Sequence, residues 1–460
     1  MTRRTVVRVV AIIAIVSVVV VGTSVTRYVL AHPNEPLQQN VASWARNNGM
    51  GAIVDQLEAW LHNDPPAAAP ADTLALVTDI PDDTTSPLPT DAAPTSTTTD
   101  PNSTVAPNTP STSQPASTKT TAGGSPSPAI VTDRPSSASC PTRDTDQTTT
   151  TSTIAPIEPT TTTTGVTIPG ETTTTTTTVA PRPLDITPVV TPGIKGEGEW
   201  KAVARVRTKP IVYASSIRPL WCFGSVVATM ATYDPNKVRA ALFNGTEVPG
   251  GRGWRNGSKI RGAALRSLIA SFNGGFRFEH SPGGYITEGR KVQNMKKGYA
   301  TFAIRKDGFS TVGIWGRDIT DDDTWVSLRQ NLPPLVDDGK SVYAKYDKVD
   351  WGQDFGNKVY NYRSAVCIRF DGLMMFVAVG KVNIGMLADT LVFLGCRTGM
   401  ELDINGTWPF FATYSNFGKV SRIGQTIDTR MGDPQRHLNG ATKDFFALFD
   451  PETLAPDAVR

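Results

Sequence analysis

Histidine and cysteine are scarce in this chain, at four residues each. Downstream of residue 196 only His280 and His437 remain, and no His-x-x-x-His or Cys-x-x-Cys pair occurs. Those absences argue against a metal site, and no cofactor is expected. The chain also lacks a P-loop, a dinucleotide fingerprint and a Gly-x-Ser-x-Gly elbow, so three common catalytic frameworks have no support. An excess of one charge is missing too. The net charge is +3 and no basic stripe stands out, which gives no case for a nucleic-acid partner. Of the four cysteines, Cys140 lies apart from Cys222, Cys367 and Cys396. An exported domain permits a disulfide, but the spacing selects no pair. Buried thiols serve as well as small apolar side chains.

What is present is sharply divided along the chain. Arg3, Arg4 and Arg8 precede an apolar run from Val9 to Val25, closed by Arg27. A run of ~17 residues is the short end of what a membrane-crossing helix needs. The leading arginines favour a cytoplasmic N-terminus. Residues 1–28 are therefore read as a signal anchor, and a cleaved signal peptide ending near Ala31 is the alternative. Residues 29–64 follow, with Val41, Trp44, Ile53, Leu57, Trp60 and Leu61 at roughly helical spacing. That pattern suits a helix lying on the outer leaflet, or one packed on a partner. Residues 65–195 are rich in Thr, Pro, Ser and Ala, with runs such as Thr172–Thr178. Such sequence buries too little apolar surface to offset its ordering entropy. It is expected to form an extended stalk, at most on the order of 400 Å long at about 3.1 Å per residue.

Residues 196–460 carry the pattern of one folded domain. Strands are predicted at Lys201–Arg207, Pro210–Arg218, Ala300–Arg305, Ser310–Gly316, Ser364–Phe370 and Met374–Val379. Asp371-Gly372 is a hairpin turn signal. Asn383 is a plausible N-cap for a helix with Leu387, Leu391 and Leu394 on one face, ended by Gly395. A second helix is expected over Thr324–Leu332, capped by Asp321–Asp323. The order of strands and helices predicts an α+β fold, a mixed sheet with packed helices.

Three places could carry chemistry. If Met400–Asn405 is extended, Met400, Leu402 and Ile404 enter the core. Glu401, Asp403 and Asn405 then share the other face, where neighbouring carboxylates can divide acid and base roles. A solvated sheet face explains the same alternation. Asn273-Gly274-Gly275 follows an apolar run, and its glycines let backbone approach a ligand. An ordinary tight turn would look alike. Arg363 opens an apolar strand, where a guanidinium suits phosphate or carboxylate, although a lone arginine is commonly just surface.

Taken in order, Phe272-Asn-Gly-Gly-Phe276, Pro282–Gly289, Arg329-Gln-Asn-Leu-Pro333, Arg363-Ser-Ala-Val-Cys367 and Glu401-Leu-Asp403 resemble the phosphodiester glycosidase family. The resemblance runs from about Val206 to Leu448. It implies that Asn273 and Gly274 belong to the family's Asn-Gly-Gly-Phe loop and that Arg363 matches its Arg-Thr strand start, with Ser364 in place of Thr. Asp403 matches the aspartate of a Leu-Asp-Gly-Gly-Gly-Ser signature, which reads Leu402-Asp-Ile-Asn-Gly-Thr-Trp408 here. The implied activity is hydrolysis of a sugar-1-phosphodiester in an extracytoplasmic envelope glycopolymer. Arg363 and Asn273 would bind substrate, and Asp403 or Glu401 would act as acid or base. A wall-binding module that keeps the cleft without the chemistry fits the altered signature as well.

Overall fold

The computed structural model describes residues 20–31, 37–50, 53–54, 66–67, 71, 73–74 and 182–460, except 347, 350, 353–359, 405 and 407. Residues 20–31 are helical, and Leu37–Ala45 forms a second helix that breaks at Asn48 and Gly49. The Trp44 indole is buried and donates to Ser24 Oγ at 3.0 Å. Trp44 therefore packs back on the preceding helix. Among the described residues no helix is long and apolar enough to cross a membrane. Most of the apolar run that suggested an anchor lies outside the described residues, as do Trp60, Cys140 and all but a few residues of the stalk up to 181.

The folded part is built almost wholly from antiparallel strands in three sheets. The first has the order β1 (Lys201–Val206), β2 (Lys209–Ile217), β3 (Ala228–Tyr233), β14 (Met374–Val382), β13 (Asn361–Arg369), β15 (Cys396–Ile404), β11 (Val336–Asp337) and β12 (Lys340–Ser341). The second runs β7 (Arg290–Gln293), β6 (Tyr285–Thr287), β10 (Trp325–Gln330), β8 (Ala300–Arg305) and β9 (Ser310–Ile314). The third runs β17 (Ile423–Thr426), β16 (Phe411–Ser415), β5 (Leu268–Asn273), β18 (Phe445–Phe449) and β4 (Arg239–Phe243).

The eight-stranded sheet is buried on both faces, which explains its unbroken apolar strands. Along β14, Met374, Phe376 and Ala378 join the core shared with the other two sheets. Met375, Val377 and Val379 join a second core on the opposite face. The helix Ile384–Phe393 covers that second face with Leu387 and Leu391. Its start is fixed as expected, by Asn383 Oδ1 accepting the Met386 amide at 2.8 Å. At the centre of the first core, Phe272 of β5 meets Phe302, Phe376, Phe411 and Phe446. One ring thus joins all three sheets, and each such buried side chain stabilises the fold by roughly 2–3 kcal/mol.

Three expectations need correction. Every pairing between named strands is antiparallel, so the sheet is not mixed, and the domain is mostly β with few helices. Thr324–Leu332 is not a helix. Asp322 accepts the Thr324 amide at 3.0 Å in a local turn that launches β10. Strands β6 and β8 flank β10 and satisfy its backbone on both sides, which outweighs a capping signal. Finally, the packed part begins ahead of residue 196. Trp200 Nε1 donates to the Leu184 carbonyl at 3.1 Å, and buried Arg218 reaches Val190 O, Pro192 O and Glu197.

Candidate active site

The Asn-Gly-Gly loop leaves β5 where all three sheets come close. Both N–H donors of Asn273 are in use, to Ser364 Oγ at 3.0 Å and to the Gly274 carbonyl at 2.9 Å. Its oxygen accepts the Phe410 amide at 2.8 Å. Ser364 Oγ in turn donates to the Asp403 carbonyl at 2.6 Å, and the Asp403 amide donates to the Gly274 carbonyl at 3.0 Å. Asn273 and Asp403 are therefore brought together through Ser364 and loop backbone. The amide of Asn273 is committed to holding that junction, not to binding a sugar hydroxyl.

Glu401 and Asp403 do not share a face. Two steps along β13, from Arg363 to Ala365, match three along β15, from Ile404 to Glu401. The extra residue is a β-bulge, and a bulge re-aims side chains. Its effect shows in the cores: Met400 and Leu402 belong to one, Ile404 to the other. Glu401 turns to the side of Arg363, whose Nη1 donates to Glu401 Oε1 at 2.6 Å and to the Trp351 carbonyl at 2.8 Å. Arg363 Nε donates to the Val382 carbonyl, and among the described residues its buried Nη2 has no hydrogen-bond partner. The paired-carboxylate arrangement expected of Glu401 and Asp403 is thus broken by one inserted residue. Asn405 lies outside the described residues.

Asp403 faces the third sheet instead, where Oδ2 meets the Lys443 ammonium. Burial pushes the Asp403 carboxyl up, Lys443 and the Ile404 amide oppose that, and the nearby Asp444 charge adds to it. Burial pushes the Lys443 ammonium down, against the pull of Asp403. Both partners are thus driven towards their neutral forms. Lys443 also lies 4.3 Å from the centre of the half-buried Trp408 ring.

A second ion pair braces the first. Arg329 Nε and Nη2 reach the two oxygens of Asp444 at 2.8 and 3.3 Å. The same guanidinium caps the Gln330 and Phe276 carbonyls. Asn331 donates to the Glu401 carbonyl at 3.0 Å and accepts the Phe276 amide at 2.9 Å. Lys443, Asp444 and Trp408 were not anticipated from sequence. Two opposite charges directly ahead of the wholly apolar strand Phe445–Phe449 were the available signal. His437 is a core side chain: it stacks on Phe445 at 3.9 Å, bonds Ser271, and burial holds it well below the usual imidazole range. Among the described residues no group of three or more His, Cys, Asp or Glu is placed to hold a metal ion.

The segment that forms this junction is also the one that finds relatives. Residues 266–404 match the sequence profile of the phosphodiester glycosidase family. That segment is similar to the family. The match begins just before β5 and ends with β15, so the matched segment holds Asn273, Arg329, Arg363 and Asp403, while Lys443 and Asp444 lie beyond it. Among solved structures, the catalytic domain of zebrafish N-acetylglucosamine-1-phosphodiester alpha-N-acetylglucosaminidase, auto-inhibited by its pro-peptide, is similar at 19% identity. That alignment covers 55% of this chain and 87% of that one, with a TM-score of 0.37. A hypothetical protein from Synechocystis is similar at 11% identity over 54% and 64% of the two chains, with a TM-score of 0.33. A putative exported protein from Burkholderia pseudomallei gives 12%, over 49% and 74%, with a TM-score of 0.27. Scores this low establish no shared architecture. No curated protein matches the chain.

Proposed function

We propose that this chain is an extracytoplasmic hydrolase that cleaves sugar-1-phosphodiester bonds in envelope glycopolymers, with Asp403 as its proton donor. The observation that carries the reading is the buried contact of Asp403 with Lys443 beside the Asn-Gly-Gly loop. A general acid must hold its proton at working pH, and burial shifts the Asp403 carboxyl in that direction. It would donate to the oxygen leaving the anomeric carbon, and Lys443 would offset the charge left behind. Glu401 serves in this reading to hold Arg363, and Asn273 to hold the loop. Export is supported by the arginine-led apolar run, by the Thr/Pro-rich stalk and by the buried Cys367–Cys396 disulfide, a bond typical of oxidising compartments. Membrane attachment through the N-terminal run belongs to the same proposal.

The test is release of free sugar by the purified protein from UDP-N-acetylglucosamine, a small nucleotide sugar whose anomeric oxygen is esterified to a diphosphate. Asp403→Asn is expected to lower turnover by about two to four orders of magnitude while the circular dichroism spectrum stays unchanged. Wild-type-like turnover in that variant removes Asp403 from the mechanism. One observation favours a second reading, a wall-binding module without catalysis: Asp403, Lys443, Asp444 and Arg329 all have ionic partners within the protein. A wild-type protein that binds wall polysaccharide yet releases neither sugar nor phosphate would establish that alternative.

A further inference from the structure

Between Val248 and Phe278 the chain carries Arg252, Arg255, Lys259, Arg261, Arg266 and Arg277, with no aspartate or glutamate. Arg277 is paired with Glu247 at 2.5 Å. The other five are exposed, and among the described residues none of them forms an ion pair. Glu288, a carboxylate that touches this loop, is already occupied: it accepts the Asn256 amide at 2.8 Å and pairs with Arg290 at 3.3 Å. The loop therefore carries uncompensated positive charge.

The loop is also pinned in place beside the candidate site. The amides of Glu247 and Val248 donate to the Thr442 carbonyl at 2.8 and 3.0 Å. The Ala441 amide donates to Ser258 O at 2.8 Å, and the Ile260 amide to His437 O at 2.9 Å. Residues 437–442 lead directly into Lys443 and Asp444. Within the loop, buried Asn256 donates to the Leu242 carbonyl, Trp254 Nε1 donates to Gly250 O at 2.7 Å, and the Arg290 guanidinium lies 3.7 Å over the Trp254 ring. These cations are displayed on a fixed rim, not on a free tail. A cluster of exposed cations on a fixed loop, next to the proposed site for one phosphodiester, suits a ligand with many phosphodiesters.

We infer that the rim formed by Arg252, Arg255, Lys259 and Arg261 is a docking surface for a polyanionic, phosphodiester-linked glycan. Successive phosphates of one chain lie along the rim, and a linkage of that chain is led towards Asp403 and Lys443. The choice of a phosphodiester-linked ligand and this last clause rest on the hydrolase reading; the exposed cations do not. Contacts of this kind release counterions, so the affinity falls steeply with salt.

The test uses the full-length protein and a variant carrying Arg252→Gln, Arg255→Gln, Lys259→Gln and Arg261→Gln. The probe is a purified poly(glycosyl 1-phosphate), compared with neutral dextran, phosphatidylglycerol vesicles and single-stranded DNA. The wild type is expected to bind the polymer and not dextran, losing affinity between about 50 and 200 mM salt, and the variant to bind at least about tenfold more weakly with a shallower salt slope. Turnover of UDP-N-acetylglucosamine should change less than about twofold, since the four side chains are exposed. Equal polymer binding by the two proteins overturns the proposal, as does tighter binding of vesicles or DNA than of the polymer. Loss of polymer binding in a protein that hydrolyses nothing sinks the hydrolase reading and leaves the rim standing.

Discussion

An added Cβ at Gly274 would lie 2.6 Å from both the carboxylate carbon and the backbone oxygen of Asp444. Gly275 is closed in by Asn331 Oδ1 at 2.9 Å and Arg329 Nη2 at 3.0 Å. The two glycines are thus required because buried polar side chains crowd the loop, not because a turn needs an unusual dihedral. Gly274→Ala is expected to destabilise the protein by roughly 1–3 kcal/mol or more through forced overpacking, read as a lower urea midpoint with an unchanged m-value. The Asp403–Lys443 contact has its own signature. The Asp403 carboxyl is raised in the folded state. Its proton is therefore bound more tightly when folded, and its contribution to stability falls as pH rises through the ordinary aspartate value towards the folded one. Activity carried by protonated Asp403 should decline over the alkaline side of that raised value. In Lys443→Met, which removes the opposing cation, the decline should move to higher pH. A descending limb at the same pH in both proteins would assign it to another group.

At the scale of single elements, the bulge in β15 decides what the site contains. A strict alternation would have placed Glu401 beside Asp403, and one extra residue sends them to different faces. Strands β13 and β15 are also joined by Cys367–Cys396, 29 residues apart. Closing a loop of that size stabilises by about 3.6 kcal/mol in the chain-entropy account. Cys367→Ala with Cys396→Ala should lower stability by about that amount, measured by denaturant unfolding. The helix Ile384–Phe393 offers a separate pH test. Burial pushes Asp389 up to about 6. Its folded value exceeds the unfolded one, so stability from this group is full below pH ~4 and lost as pH rises to about 6. Asp389→Asn should then be the more stable protein at pH 7, by on the order of 1 kcal/mol after allowing for solvent screening. Equal stability at pH 7 would show that water reaches the carboxylate.

On the scale of the whole molecule, the folded unit reaches back to the segment that reads as the end of the stalk. Arg218 is buried and takes the Val190 and Pro192 carbonyls besides Glu197. A fragment starting at residue 182 should fold with a single cooperative transition. One starting at 196 loses both carbonyls and the Leu184 contact to Trp200, and should melt at least several degrees lower. Several features were readable without coordinates: the antiparallel hairpin around Asp371-Gly372, the capped helix after Asn383, and the family motifs. Each depends on residues close together in the chain, where spacing and turn chemistry act directly. The helix proposed over Thr324–Leu332 failed because strands β6 and β8 supply partners that no local signal announces. The shared face of Glu401 and Asp403 failed because a bulge is a property of two paired strands. Lys443 and Asp444 went unnoticed because Asp403, Arg329 and Gly274, the groups that give them meaning, are remote in sequence. Local pattern therefore determined the hairpin around Asp371-Gly372, the capped helix after Asn383 and the family resemblance, but not every strand. Which carboxylate meets which cation was decided only when three sheets closed around Phe272, because burying a charge demands a partner from wherever in the chain the fold can supply one.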